Sequence, residues 1–301
     1  MTAAHAVLAG TRRWVDHNLD RFHLPDVASP GFVHALKPLG ELALTAHVAD
    51  LGSDSAGWLE WCWQETQEGE LLLRVVDEHH ALVPPVVSLY SVFATHGLRL
   101  MALERRLARL MPLRAVVALE VAPWRRIELG RSLAVVGLPS PWDERECLRD
   151  TWLGHQPEPW VVDDDAGYSV THTVFYVTGF GRRPEEMPTH MAEYVRAWLP
   201  VWVRVFELRR NLDLVAELLL AGRCLGIDVP GMTSLHRAQD LEGMVPGPVR
   251  PGQSTASTPA GRFAQSYHTT LVSLMAAAAG IRDGSGPGPG ATEQQSVEWR
   301  G

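Results

Sequence analysis

The chain has a single lysine, Lys37, and only three isoleucines. Both shortages read as a GC-rich coding bias and concern the source rather than the function. Arginine is almost the only cation, the formal net charge is -8, and no basic stripe stands out. Nucleic acid is therefore not an expected partner. Cysteine is scarce too. Cys62, Cys147 and Cys224 are odd in number, far apart and form no CxxC pair, which excludes a disulfide scaffold and a zinc ribbon. No run reaches the ~18 apolar residues of a membrane span. The first residues, MTAAHAVLAGTRRW, lack a basic leader and read as the start of a helix. The expectation is a soluble, cytoplasmic protein. GxGxxG, GxxxxGK[ST] and GxSxG are all missing, which argues against a Rossmann domain, a P-loop and a serine hydrolase of the usual kind.

What is present is apolar and helical in pattern. Of 301 residues, 46% are apolar, enough for a sizeable core. Helical spacing is visible over 6–22, 31–51, 58–80, 86–110, 185–209, 211–226 and 262–280. Ser53–Gly57 reads as a turn. Residues 114–138 are β-branched and fit strands by periodicity, but the Ala, Leu, Arg and Glu around them favour helices. A connector, 139–160, holds one short helix over Asp143–Leu153. The expected organisation is a single all-helical domain over 1–280, with 245–261 as a flexible loop or lid and 281–301 as a disordered tail.

The segment Tyr168–Gly181, YSVTHTVFYVTGFG, is the most informative. In a helix, Tyr168, His172 and Tyr176 share one face, while valines and Phe175 cover much of the rest. Asp163–Asp165 supplies an acidic first turn and an N-cap. A polar stripe in a buried helix is either a satisfied network or the lining of a cavity, and the pattern favours the cavity.

Comparable apolar helices with a small polar cluster recur. Their anchor residues Glu41, His96, His172, Glu217 and His268 lie 55, 76, 45 and 51 residues apart, near the ~40–50 residues of one helical hairpin in repeat architectures. Longer, more charged helices lie between them. The fold class is therefore all-α, with helical hairpins arranged as an α/α toroid-like ring or partial solenoid that gathers the polar clusters at one mouth. An irregular helical bundle is the alternative.

His172, Asp213, Glu217 and His268 form the candidate site. Asp213 and Glu217 are one helical turn apart in a segment suited to burial, and buried carboxylates need a cation, a metal or strong donors. His172, Glu217 and His268 are candidate ligands for a divalent metal such as Zn²⁺, Fe²⁺ or Mn²⁺. Without a metal, the same groups with Tyr168, Tyr176 and Tyr267 suit acid–base work and stabilisation of an enolate or oxyanion. The other reading of each histidine is a hydrogen-bonded core residue. Lys37 and Glu41, at i and i+4, read as a helix ion pair, with a Schiff-base lysine as the alternative.

Four motifs, ALKPLGELAL (35–44), THTVFYVTGFG (171–181), DLVAELLLAGRCL (213–225) and YHTTLV (267–272), together resemble an actinobacterial family of unknown function, DUF6895, over most of residues 5–280. The resemblance implies a helical protein associated with secondary-metabolite gene clusters and transfers no catalytic residues. The expected function is a tailoring enzyme of specialised metabolism acting on a small molecule in a helical cavity, by cyclisation, isomerisation, elimination or hydrolysis. A non-catalytic ligand-binding or scaffold protein, with a carrier protein as a possible partner, is the alternative.

Overall fold

Proline, glycine and small polar caps cut the chain into short helices, and the computed structural model follows that punctuation. It describes residues 2–29, 31–248 and 256–284. Among the described residues there are fifteen α-helices, a few 3-10 turns and no strand. In chain order they are α1 (Ala3–His17), α2 (Phe32–Ala49), α3 (Ser53–Glu65), α4 (Glu70–Glu78), α5 (Val83–Thr95), α6 (Met101–Leu110), α7 (Arg114–Val117) and α8 (Pro123–Val135). There follow α9 (Glu144–Arg149), α10 (Trp152–His155), α11 (Asp164–Thr178), α12 (Thr189–Leu208), α13 (Leu212–Cys224), α14 (Met232–Ala238) and α15 (Pro259–Gly284). Of the β-branched stretch 114–138, α7 and α8 are helical and the remaining residues are turns or irregular, with no strand.

Caps explain several boundaries. The Asp163 carboxylate accepts from Ala166 N–H at 2.8 Å and starts α11. Asn211 does the same for α13 through Leu214 N–H at 3.2 Å. Gly179, at φ 56°, ends α11 in a left-handed cap.

Other boundaries differ from the expectation. The pattern over 58–80 is two helices, not one, and residues 53–57 open α3 instead of forming a turn. The break at Thr66–Gly69 is built by Thr66, whose hydroxyl donates to Trp63 O at 2.8 Å and accepts from Gly69 N–H at 3.2 Å. Gly69 has φ 88°, and a Cβ there would meet the Trp63 ring at 3.0 Å, so glycine is required. Residues 86–110 likewise divide into α5 and α6 around Gly97, at φ 80°. The connector holds two short helices, because Thr151 caps a second one through Gly154 N–H at 2.9 Å. Of the expected lid, 249–255 lie outside the described residues, and α15 already begins at Pro259. Of the expected tail, 281–284 belong to α15 and the rest lies outside the described residues.

Two groups of buried side chains make the core. One joins α1 to α6 and α8, with residues such as Leu39, Leu72, Tyr90 and Leu103. The other centres on α11 to α14, with Val174, Trp202, Phe206 and Leu218. Each fully buried Leu, Val or Phe stabilises the fold by roughly 1.5–3 kcal/mol relative to exposure. Helix α15 belongs to both groups: Leu271, Leu274 and Ala278 face one, while Val272, Met275 and Ala277 face the other. Its alanines let the neighbouring backbones approach closely.

The helix contacts follow an order. α2 packs on α5, α5 on α8, α8 on α11, α11 on α13, α13 on α15, and α15 again on α2. The remaining longer helices lean on members of this series: α1 on α15, α3 on α2, α4 on α5 and α12 on α13. The candidate site is built where α2, α11, α13 and α15 meet.

Candidate functional site

Helix α13 carries the two acids into the core. The side chains of Asp213 and Glu217 are 5% and 1% exposed. One oxygen of each is held by a threonine. Thr269 of α15 donates to Asp213 Oδ1 at 2.7 Å, and Thr171 of α11 donates to Glu217 Oε2. Tyr168 Oη donates to Asp213 Oδ2 at 2.7 Å. The remaining oxygens turn toward His268 of α15, whose Nε2 lies 3.2 Å from Glu217 Oε1 and 3.6 Å from Asp213 Oδ2. On the other side of the ring, Nδ1 meets Glu41 Oε2 of α2 at 2.7 Å. Lys37, one turn before Glu41, is 3.6 Å from its other oxygen.

Three carboxylates thus surround one imidazole. Burial pulls the His268 pKa down, but Glu41, Asp213 and Glu217 outweigh it and hold the ring protonated well above the usual histidine range. Burial opposes the charge on Glu217 as well. His172 and His268 prevail and keep its carboxyl below the ordinary value. For Glu41, burial is again overcome, by His268 and then Lys37. Burial, followed by Asp213, pushes the Tyr168 phenol up, so it remains a donor.

Exposure is graded across the cluster. His268 is 30% exposed and His172 and Glu41 are 21% each, above two acids that are almost sealed. The two acids thus lie beneath a partly exposed layer formed by His268, His172 and Glu41. Aromatic side chains stand beside it. The Trp124 ring of α8 lies 4.3 Å from the His172 ring and stacks on Tyr176 at 6.1 Å. Among the described residues, the Tyr176 and Tyr267 hydroxyls have no hydrogen-bond partner. Burial raises both phenols' pKa values, so they are protonated donors.

The arrangement has the parts of a metal centre. Asp213, Glu217 and His268 each offer a ligand atom, all within 4.8 Å of one another. Donors about 2.0–2.2 Å from an ion stand roughly 3.0–3.5 Å apart, close to the 3.2 and 3.6 Å found at Nε2. Glu41 on Nδ1 would orient the ring if His268 held a metal, and the two threonines fix the far oxygens of the acids. Nε2 cannot carry a proton and a metal together, so cation binding at this group releases a proton.

Of the expected residues, His172, Asp213, Glu217, His268 and Tyr168 converge, and Tyr176 stands beside them. Asp213 joins Glu217 and His268 as the tight donor set. His172 stands beside it, with Nδ1 on its own helix at Tyr168 O (2.8 Å) and 3.6 Å from Glu217. The anchor His96 does not join them. It pairs with His47 Nδ1 at 2.9 Å, near Arg182, past the C-terminal end of α5. Glu41 forms the expected pair with Lys37, but its link to His268 escapes a local reading. Thr171, Thr269 and Trp124 also belong to the site, and the helical spacing does not mark them. The legible signal for the threonines is that Thr171 precedes His172 and Thr269 follows His268.

The chain belongs to the family described as a domain of unknown function, DUF6895, whose model matches residues 8–278. No curated protein and no solved structure matches it. Among the described residues, no helix is long and apolar enough to cross a membrane.

Proposed function

We propose that this chain is a small-molecule enzyme of α/α toroid fold whose reaction takes place at the His268 cluster around a divalent metal ion. The cyclic order of contacts α2–α5–α8–α11–α13–α15–α2 supports the ring, with α1, α3, α4 and α12 outside it. One observation carries the functional reading: His268 Nε2, Asp213 and Glu217 bring three possible ligand atoms within 4.8 Å of one another, while Glu41, Thr269 and Thr171 hold His268 Nδ1, Asp213 Oδ1 and Glu217 Oε2, and Tyr168 donates to Asp213 Oδ2 itself. Zn²⁺, Fe²⁺ or Mn²⁺ held there supplies Lewis acidity or a reactive water. The Tyr176 hydroxyl and His172 are then the neighbouring groups placed to donate to or take protons from a substrate. A tailoring step in specialised metabolism, such as an elimination, isomerisation, cyclisation or hydrolysis, fits such a centre; that assignment rests on the sequence resemblance alone.

A second reading uses the same cluster without metal. Both ring nitrogens of His268 face carboxylate oxygens, which favours an imidazolium, and a partly exposed imidazolium is a general acid.

Metal content separates the two. Protein purified without an affinity tag and titrated calorimetrically with Mn²⁺, Fe²⁺ or Zn²⁺ is expected to bind one ion per chain, with proton release. Asp213→Asn and His268→Ala are expected to abolish binding while the helical circular dichroism is kept. Folded wild-type protein that binds none of these ions at micromolar concentration refutes the metal reading and leaves acid–base chemistry.

A further inference from the structure

The end of α2 meets the end of α5 and the turn that follows α11. His47 lies in the last turn of α2, and His96 is the residue that closes α5. Their rings stand edge to face with centroids 5.1 Å apart, and His47 Nδ1 is 2.9 Å from His96 Nε2. Arg182, in the turn after α11, donates from one guanidinium nitrogen to His47 O at 2.7 Å and from another to His47 Nε2. The bond to His47 O is architecture, since a cation caps a helix C-terminus. That cap does not call for two imidazoles in series.

The partners fix where the protons are. A guanidinium only donates, so His47 Nε2 is bare. A neutral ring with a bare Nε2 carries its proton on Nδ1, so His47 donates and His96 Nε2 accepts. Both bonds exist together only while both rings are neutral. A proton added to His47 sets N–H against the guanidinium. A proton added to His96 Nε2 sets N–H against His47 Nδ1–H. Moving the His47 proton to Nε2 would restore the bond to His96 and lose the one to Arg182. Any added proton therefore breaks one of the two bonds. The surroundings act in the same direction. Burial, then Arg182 and His96, lower the His47 pKa from 6.5 to about 4, against Asp50. Burial and then Arg182 lower that of His96, again against Asp50. Arg282 of α15, which donates to Ala49 O, is a further cation at this helix end. His47 is half-buried and His96 exposed, so solvent protons reach the pair.

We infer that Arg182, His47 and His96 form a proton-sensitive clasp that ties α2 to α5 and to the turn after α11, closed while both imidazoles are neutral and released when either takes up a proton. The clasp holds the end of the helix that carries Glu41, but it shares no side chain with the His268 cluster and does not depend on the metal reading. A folded-state pKa below the ordinary value means that its stabilisation is complete above pH 6.5 and is lost as pH falls toward 4. With 6.5 restored in the open form and about 4 in the closed one, proton uptake by His47 alone raises the opening equilibrium roughly 25-fold between pH 7.5 and pH 5.

The test has two parts, both on the whole chain. Nitrogen NMR of protein labelled at histidine reads the tautomers: His47 and His96 are expected with the proton on Nδ1 at pH 7.5, and His47 with a titration midpoint well below 6.5. Amide hydrogen exchange, divided by the intrinsic rate at each pH, reads the opening. Protection of the Val48, Ala49 and Arg183 amides is expected to fall roughly 25-fold from pH 7.5 to pH 5 relative to α12 amides. In the double variant His47→Gln, His96→Gln, which cannot titrate there, the ratio is expected to stay constant. A proton on His47 Nε2, midpoints at or above 6.5 for both rings, or the same pH dependence in the double variant overturns the proposal.

Discussion

Replacing His268 with glutamine removes the one cation between Glu41, Asp213 and Glu217 and keeps most of the volume. Breaking a buried ion pair by deleting one partner costs about 3–5 kcal/mol. His268 and Glu41 are partly exposed, so solvent takes up some of the stranded charge and the low end, about 3 kcal/mol, applies. For a chain of this size that corresponds to a fall in Tm of roughly 6 °C. The pH dependence is more diagnostic than the size. The folded-state pKa of His268 is raised above 6.5, so its stabilisation is complete below that value and is lost as pH rises through the folded-state pKa. Glu41 and Glu217 are lowered from 4.5, so theirs is complete above that value and is lost as pH falls through theirs. The deficit of His268→Gln is therefore greatest on the plateau near pH 6 and narrows in both directions. Thermal melts of both proteins from pH 4 to 10, in chelator, measure it. A pH-independent deficit below about 1 kcal/mol refutes the ion network.

Glu41→Gln weakens the partner of His268 Nδ1 without touching a proposed ligand. Metal affinity is expected to fall about 10–100-fold, read by the same calorimetric titration, with the other two acids still in place. Gly181→Ala places a Cβ 3.1 Å from Cys224 Cα at φ 82°. A loss of about 1–3 kcal/mol is expected, and urea unfolding reports it.

Periodicity along one helix proved a reliable guide to faces and a poor one to ends. It put Tyr168, His172, Asp213 and Glu217 on buried faces, and these do meet. It also ranked His96 with them, although His96 follows the C-terminus of α5 and so belongs to the opposite end, beside His47. Knowing which end of a helix a residue occupies requires its neighbours. Glu41 shows another limit: its local partner, Lys37, explains it well enough to conceal a bond to His268, 227 residues away. The break after Glu65 was hidden because Gln67 and Glu68 are helix formers, yet both adopt positive φ, 51° and 54°, which composition does not signal.

The return of α15 onto α2 has a consequence for the nascent chain. As the protein leaves the ribosome, α2 and α13 must wait for their shared neighbour, since α15 comes last of the described helices and touches α1, α2 and α13. Until then Asp213, Glu217 and Glu41 have no imidazole between them, and a strip of apolar surface on both core groups stays open. Such long-range closure slows folding and prolongs exposure to aggregation. It also means that a chain truncated before residue 259 lacks His268 and leaves Glu41, Asp213 and Glu217 without their shared imidazole.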